Sequence, residues 1–197
     1  MVLAVRILLL SLAVALSASV TASALEPLPK RLVDQGYKQL CDGQYTLAVK
    51  TLSAALQADP RSIPAQRYLG YALLRQGQSA RAVSQFEALT RTGKADAEDH
   101  AGLADALRYA GRRAAAVAEY EQALKLSPGL EVAYDGLIRC RMEMGQLSLA
   151  AAACLEAAKG ARNESTKVYF LTLLDEIESI RSGPAAQEGE RSAAGPG

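Results

Sequence analysis

The sequence predicts an all-α fold: a right-handed superhelical solenoid of four helix-turn-helix repeats followed by a capping helix. Two columns of small residues and one spacing predict it. A glycine recurs every 34 residues, at Gly43, Gly77, Gly111 and Gly145. An alanine follows each glycine by five residues, at Ala48, Ala82, Ala116 and Ala150. A strict period of this length indicates one supersecondary unit copied in tandem.

The apolar residues inside each unit follow helical spacing. In the third copy, Val117 and Tyr120 lie three residues apart, and Leu124 completes the same face at i+7. Such spacing is typical of an amphipathic helix, whereas a strand would need alternation every second residue. We therefore expect two antiparallel helices per unit, the first ending at the glycine in a left-handed C-cap.

Two further columns predict how the paired helices pack. One carries mostly bulky side chains that we expect in the core, namely Leu52, Phe86, Tyr120 and Cys154. The other begins with residues small enough to let two helix backbones approach closely. Its members are Gly36, Gly70, Ala104 and Ile138.

The first 24 residues are predicted to be a cleaved secretory signal. Arg6 supplies the positive charge, Ile7–Leu16 the apolar segment, and Ala22–Ala24 an A-x-A cleavage site. An uncleaved anchor is the alternative, but the 14 residues from Ile7 to Val20 fall short of the ~20 that span a bilayer. We expect export, to the periplasm if the source is bacterial, with secretion or tethering by an uncleaved signal as alternatives.

The remaining chain divides into repeats and ends. We expect a lead-in at 25–28, then repeats at 29–62, 63–96, 97–130 and 131–164, a capping helix at 165–181 and a disordered tail at 182–197. In the capping helix, a single apolar face is expected to cover the edge of the last repeat, because a terminal repeat needs a polar outer surface. That face comprises Val168, Leu171, Leu174 and Ile177.

These columns resemble the tetratricopeptide repeat (TPR) family. The likeness rests on L-G-x-x-L at Leu69–Leu73, the glycine and alanine columns, the bulky site and the closing prolines Pro60 and Pro128. It covers about residues 29–164. Gln35 and Lys94 depart from the pattern, where the family prefers leucine and proline.

The resemblance implies a concave groove, lined by the first helix of each repeat, that binds a peptide or partner protein. Tyrosine and arginine, which are enriched in binding hot spots, recur there; the alternative is that they only solvate a helix face. The mapped inner face also includes Val33, Cys41, Ala101 and Asp135. Our groove candidates are Tyr37, Arg67, Tyr71, Leu74, Arg75, Asp105, Arg108, Tyr109 and Arg139.

One subgroup of the family grips a terminal carboxylate with a lysine and asparagine clamp. Val33, Tyr37 and Tyr71 stand at those places here, so this ligand is not supported. The formal charge of the chain is +1, and it falls to 0 without Arg6. We therefore expect no nucleic acid binding, which would need a basic face. We expect no membrane span once the signal is removed.

Chemistry-bearing residues are few. His100 is the sole histidine, and we interpret it as a packing residue. A metal site could combine it with Asp96, Glu98 and Asp99, but these carboxylates better fit the stabilisation of a helix N-terminus. Asn163–Ser165 matches a glycosylation sequon that chance also produces. We predict no cofactor, no metal and no catalytic residue, and we expect three free, mostly buried thiols, at Cys41, Cys140 and Cys154.

The leading functional hypothesis is an exported, non-enzymatic TPR scaffold that holds a peptide or partner protein during assembly of a cell-envelope complex. The second is a structural component that self-associates through the solenoid ends. The third is an enzyme that uses Cys41 or His100.

Overall fold

A computed structural model describes residues 27–183. The predicted signal at 1–24 and residues 184–197 of the predicted tail lie outside the described residues. Every regular element of the described part is an α-helix, which confirms the all-α class. The helices are α1 (Leu28–Cys41), α2 (Tyr45–Ala58), α3 (Ile63–Arg75), α4 (Ser79–Thr90), α5 (Ala97–Tyr109), α6 (Arg113–Leu126), α7 (Glu131–Glu143), α8 (Leu147–Gly160) and α9 (Glu164–Ser182).

The glycine column ends the first helix of each pair as predicted. The φ angles of Gly43, Gly77, Gly111 and Gly145 are 74°, 74°, 77° and 71°. At the third turn, the N–H of Gly111 donates to the carbonyl of Arg108 at 2.9 Å, and the N–H of Arg112 donates to that of Leu107 at 2.9 Å. These bonds satisfy carbonyls that the end of α5 would leave unpaired, and glycine tolerates the left-handed backbone without a Cβ penalty.

The chain forms two compact units that divide between Tyr68 and Leu69, inside α3. In the first unit, α1 packs closely on α2 at Gly36, where a Cβ would lie 2.5 Å from Cγ of Leu52. Val33, Ala55 and Ala65 form the buried cluster beside this contact. Val33 is therefore a core residue, and its assignment to an exposed inner face was wrong.

In the second unit, aromatic rings of the bulky column rest on glycines. Phe86 is fully buried, and a Cβ on either Gly70 or Gly102 would lie 2.6 Å from its ring. Tyr120 is also fully buried, and a Cβ on Gly136 would overlap its ring. The bulky column is confirmed as core. The packing of its aromatic rings against Gly102 and Gly136 was not predicted from the sequence columns.

The alanine column is also confirmed as a site of close packing. Ala82, Ala116 and Ala150 are fully buried in the second unit, as is Ala48 in the first. A side chain as small as a methyl group allows close approach of packed helices, which is in keeping with an alanine at this position in each copy.

Two helices of the second unit begin with side-chain caps. Asp96 and Asp99 form a capping box: Asp96 accepts from the N–H of Asp99 and Asp99 from the N–H of Asp96, both at 3.1 Å. This confirms the role expected for these carboxylates at a helix N-terminus. Asn163 caps α9 by accepting from the N–H of Thr166 at 2.8 Å, so the sequon asparagine has a structural role.

The buried face of α9 agrees with the predicted one at Ile177, which is fully buried, and Leu174 is half-buried, but the rest of the face differs. Phe170, Leu173 and Ile177 are buried, whereas Val168 is 52% exposed and Leu171 37% exposed. Positions 170, 173 and 177 have the same helical spacing, and Phe170 contributes a large ring that stacks edge-on against Tyr134 at 6.3 Å. Burying that ring removes more apolar area from water, which favours this rotation of the helix.

The three thiols are free, but their burial differs from the expectation in one case. Cys140 and Cys154 are buried, while Cys41 is exposed at the end of α1. Burial raises the pKa of Cys154 to about 11 and also raises the pKa of Cys140. Both thiols are therefore protonated and unreactive at neutral pH.

No helix within residues 27–183 combines the length and the apolar character needed to cross a membrane.

Replacing Gly136 by alanine should destabilise the chain, because the new methyl group would overlap the buried Tyr120 ring. We expect the free energy of unfolding in urea to fall by about 1–3 kcal/mol. Gly160→Ala is the matched control: it lies on α8 with open space around its Cβ position. Its unfolding free energy should stay the same or rise by up to about 1 kcal/mol. Equal effects at the two glycines would contradict the packing described for Gly136.

Candidate functional site

A cavity of about 610 Å³ lies in the second unit where α5, α7 and the first turns of α9 meet. Its walls combine carboxylates, one guanidinium group, two hydroxyls and exposed aromatic rings. The lining residues are Asp105, Arg108, Tyr109, Glu131, Val132, Asp135, Gly136, Ser165, Thr166, Tyr169 and Phe170. α5 and α7 are each the first helix of a repeat, and equivalent faces of the two helices border this cavity.

Asp105 is held in place by Tyr120 of α6. The Tyr120 hydroxyl donates to Oδ1 of Asp105 at 2.5 Å. Burial raises the pKa of the Asp105 carboxyl, while the Tyr120 hydrogen bond and the charge of Arg108 act in the opposite direction. Burial and the adjacent carboxylate raise the pKa of Tyr120, so its hydroxyl remains protonated and available as a donor.

Arg108 is held at the other side of α5. Its Nη1 donates to Oε1 of Glu143 at 3.1 Å, and Nε of Arg113 donates to Oε2 of the same carboxylate at 2.7 Å. The Arg113 hydrogen bond lowers the pKa of Glu143, with a further contribution from Arg108. The guanidinium of Arg108 also lies 4.3 Å from the centre of the Tyr109 ring. This guanidinium is thus held in place, and it shares the Glu143 carboxylate with Arg113.

Asp135 joins α7 to α9. Nε of Arg139 donates to its Oδ2 at 2.8 Å, and the Tyr169 hydroxyl donates to its Oδ1. Nη2 of Arg139 in turn donates to the Tyr169 hydroxyl at 3.0 Å. Thr166 adds a second link by donating to Oε2 of Glu131 at 3.3 Å. These bonds fix the wall that α7 and α9 share.

The groove candidates divide between the two units. Asp105, Arg108 and Tyr109 line the cavity, and Arg139 lies beside it through its bond to Asp135. Arg75 is near enough to Asp105 for its charge to lower the pKa of that carboxyl. These five are brought into one region of the second unit.

The other candidates lie elsewhere or pack against the protein. Tyr71 is half-buried, with its ring edge-on to Phe86 at 5.2 Å and its hydroxyl donating to the carbonyl of Glu98 at 3.2 Å. Leu74 is also half-buried. In the first unit, Tyr37 is exposed and stacks on Tyr68 at 4.7 Å, and Arg67 is half-buried.

Ala101 is buried in α5, so its assignment to the exposed inner face was wrong. The cavity also contains residues that sequence analysis missed, chiefly Glu131, Val132, Thr166, Tyr169 and Phe170. They lie in the first two turns of α7 and α9, outside the positions that the repeat pattern assigns to the groove. An available signal was Tyr169, an aromatic residue outside the apolar face that was predicted to cover the last repeat.

His100 takes part in a separate contact. Its Nδ1 lies 2.8 Å from Oε2 of Glu119, which joins α5 to α6, and the ring is half-buried as expected of a packing residue. Within residues 27–183, no group of three or more histidine, cysteine, aspartate or glutamate side chains is placed to hold a metal ion.

The raised pKa of Asp105 predicts how stability depends on pH. The folded chain holds this proton more tightly than the unfolded chain, so wild type loses unfolding free energy as pH rises from about 3.8 through the raised pKa. Asp105→Asn lacks this titration but can still accept from Tyr120. The unfolding free energy of wild type minus that of the variant should therefore decrease from acid toward neutral pH. Urea unfolding at several pH values measures this difference, to which Glu143 contributes nothing because both proteins contain it. A difference that stays constant or increases with pH would contradict the burial of the Asp105 carboxyl.

Two regions of the sequence match family models described as tetratricopeptide repeat, residues 40–106 and residues 100–129. No curated protein matches the sequence significantly.

Solved structures show the same architecture at low sequence identity. The TPR protein TTC0263 of Thermus thermophilus is 19% identical, with a TM-score of 0.68 over 80% of this chain and 86% of that one. The MamA protein is 18% identical, with a TM-score of 0.61 over 86% and 97%. YrrB, described as a TPR protein with an unusual peptide-binding site, is 15% identical, with a TM-score of 0.59 over 77% and 78%.

At these identities the structural likeness concerns the fold, and it confirms the class of helical repeat that the glycine and alanine columns predict. The matched family models supply the assignment itself. Residues 40–129 therefore carry repeats of the tetratricopeptide repeat family.

Proposed function

We propose that this chain is a non-enzymatic scaffold that binds a peptide or a partner protein at the cavity of the second unit and the surface around it. The observation that carries the proposal is the ring of exposed large side chains at the cavity mouth. Tyr109 is 64% exposed and Val132 63% exposed, and Tyr169 lies exposed beside them. Exposed apolar groups that surround a recess with ordered polar groups are typical of binding sites.

The polar groups support binding because they are already ordered. Asp105 is fixed by Tyr120, Asp135 by Arg139 and Tyr169, and Arg108 by Glu143. A ligand that meets preorganised groups avoids the entropic cost of ordering them. The same mutual pairing favours a binding role over proton transfer, since these acids and bases are engaged in structural contacts.

The fold adds support of a general kind. TPR arrays are quasi-one-dimensional and expose extended surfaces that bind other proteins. YrrB, a protein of similar fold, is described as having a peptide-binding site. Both points favour a peptide or an extended segment of a protein as the ligand class.

The binding surface can be tested with peptides selected on the immobilised full chain from a random twelve-residue phage library. Tyr109→Ala and Val132→Ala should each weaken the selected peptides by roughly tenfold or more in fluorescence polarisation, the size expected for hot-spot residues. Leu126→Ala, an exposed apolar truncation on α6 away from the cavity, is the control and should bind as wild type does. Circular dichroism checks that helical content is unchanged.

An effect of Leu126→Ala equal to that of Tyr109→Ala would place the interface elsewhere. A library that yields no specific peptide would overturn the proposed function.

We further propose that the scaffold is exported and acts during assembly of a cell-envelope complex, in the periplasm if the source is bacterial. The support is the sequence of residues 1–24: one arginine, an apolar segment and an A-x-A site.

Expression of the full chain in a bacterial host tests export. We expect the protein in the periplasmic fraction, with an intact mass that corresponds to a chain beginning at Leu25. A cytoplasmic protein that retains residues 1–24 would contradict the proposal, and a membrane-bound protein with those residues would favour the uncleaved anchor.

A further inference from the structure

The charges on the cavity wall are unequal. Three carboxylates line it, those of Asp105, Glu131 and Asp135, against the single guanidinium of Arg108. Arg108 is engaged by Glu143 at 3.1 Å and by the Tyr109 ring at 4.3 Å. Arg139 pairs with one oxygen of Asp135 from beside the cavity and is not part of its lining. The wall is therefore richer in hydrogen-bond acceptors of negative charge than in cations.

The aromatic rings at the mouth suit the same class of ligand. Tyr109 and Tyr169 are exposed on two different helices of the wall, α5 and α9. The faces of such rings attract cations, and a planar guanidinium stacks on them more readily than an ammonium. Tyr109 already makes this contact with Arg108 inside the protein.

From this juxtaposition, and resting on the proposed function above, we infer that the cavity receives an arginine side chain of the bound peptide. Its guanidinium would lie between the tyrosine rings and donate to the carboxylates of Asp105 and Glu131. A guanidinium presents several N–H donors in a fixed fork, which matches carboxylate oxygens that are themselves held in place. A cavity of about 610 Å³ accommodates a side chain of this length together with adjoining peptide backbone.

An anionic side chain is the alternative, because the N-terminus of α9 and Arg108 border the cavity. Two donors at that helix terminus are already used, because Asn163 accepts from the N–H of Thr166 at 2.8 Å and Glu131 accepts from the Thr166 hydroxyl at 3.3 Å. Nη1 of Arg108 is likewise already bonded to Glu143 at 3.1 Å. An incoming carboxylate would meet the like charges of Asp105, Glu131 and Asp135, so the balance of charge on the wall favours a cation.

The test uses blocked amino acids as probes on the full chain, followed by amide chemical shifts in nuclear magnetic resonance. Millimolar N-acetylarginine N-methylamide should shift amides that line the cavity, such as those of Tyr109, Val132 and Thr166. The matching citrulline compound, which has the same shape without the charge, should shift them at least fivefold less. The matching glutamate compound should leave them unchanged.

Variants link these shifts to the carboxylates. Glu131→Gln, which leaves the Tyr120 to Asp105 bond intact, should weaken the arginine response severalfold, and its combination with Asp105→Asn should abolish it. Asp175→Asn, which removes an exposed carboxylate from α9 away from the cavity, should retain it. Absence of an arginine response in wild type, an equal response to citrulline, or equal loss in Asp175→Asn would overturn the inference.

The two proposals fail in different ways. If library peptides bind in a manner that depends on Tyr109 but the arginine probe shifts nothing, the peptide scaffold stands and the arginine site is wrong. If no peptide binds, the scaffold function is wrong whatever the probe shows.

Discussion

The hydrogen bond from Tyr120 to Asp105 is the constraint on which the second unit and its cavity depend. The ring of Tyr120 is buried against Gly136 of α7, while its hydroxyl reaches Asp105 of α5 at 2.5 Å. A buried hydroxyl without a partner would cost about 1–3 kcal/mol, so the ring position and the carboxylate position determine each other. Three helices are thereby held at the spacing that leaves the cavity open above Asp105.

The remaining wall is built by the same means, with charged groups that hold one another in place. Asp135, Arg139 and Tyr169 connect α7 to α9, and Arg108 and Glu143 connect α5 to α7. Exposed ion pairs of this kind add little to stability. Their effect is to fix the direction in which each carboxylate and ring faces the cavity, which is what a selective binding surface requires.

Sequence analysis identified part of this site because part of it follows the repeat. Asp105, Arg108 and Tyr109 were found from their places on a first helix, and they line the cavity. Glu131 and Tyr169 were missed, because they reach it from the start of one helix and from a helix beyond the fourth repeat. The approach of Tyr169 depends on how α9 is rotated, and that rotation was decided by the burial of Phe170.

What the sequence by itself determined is what local chemistry and periodicity control. The glycines with φ near 70°, the alanines at helix contacts and the capping carboxylates at Asp96 and Asp99 are requirements of the backbone within a few residues. Tertiary structure alone decided that Val33 and Ala101 are buried, that Gly136 seats Tyr120, and that α9 completes a cavity. Those outcomes depend on how side chains far apart in sequence pack against one another, and a repeat pattern does not show that packing.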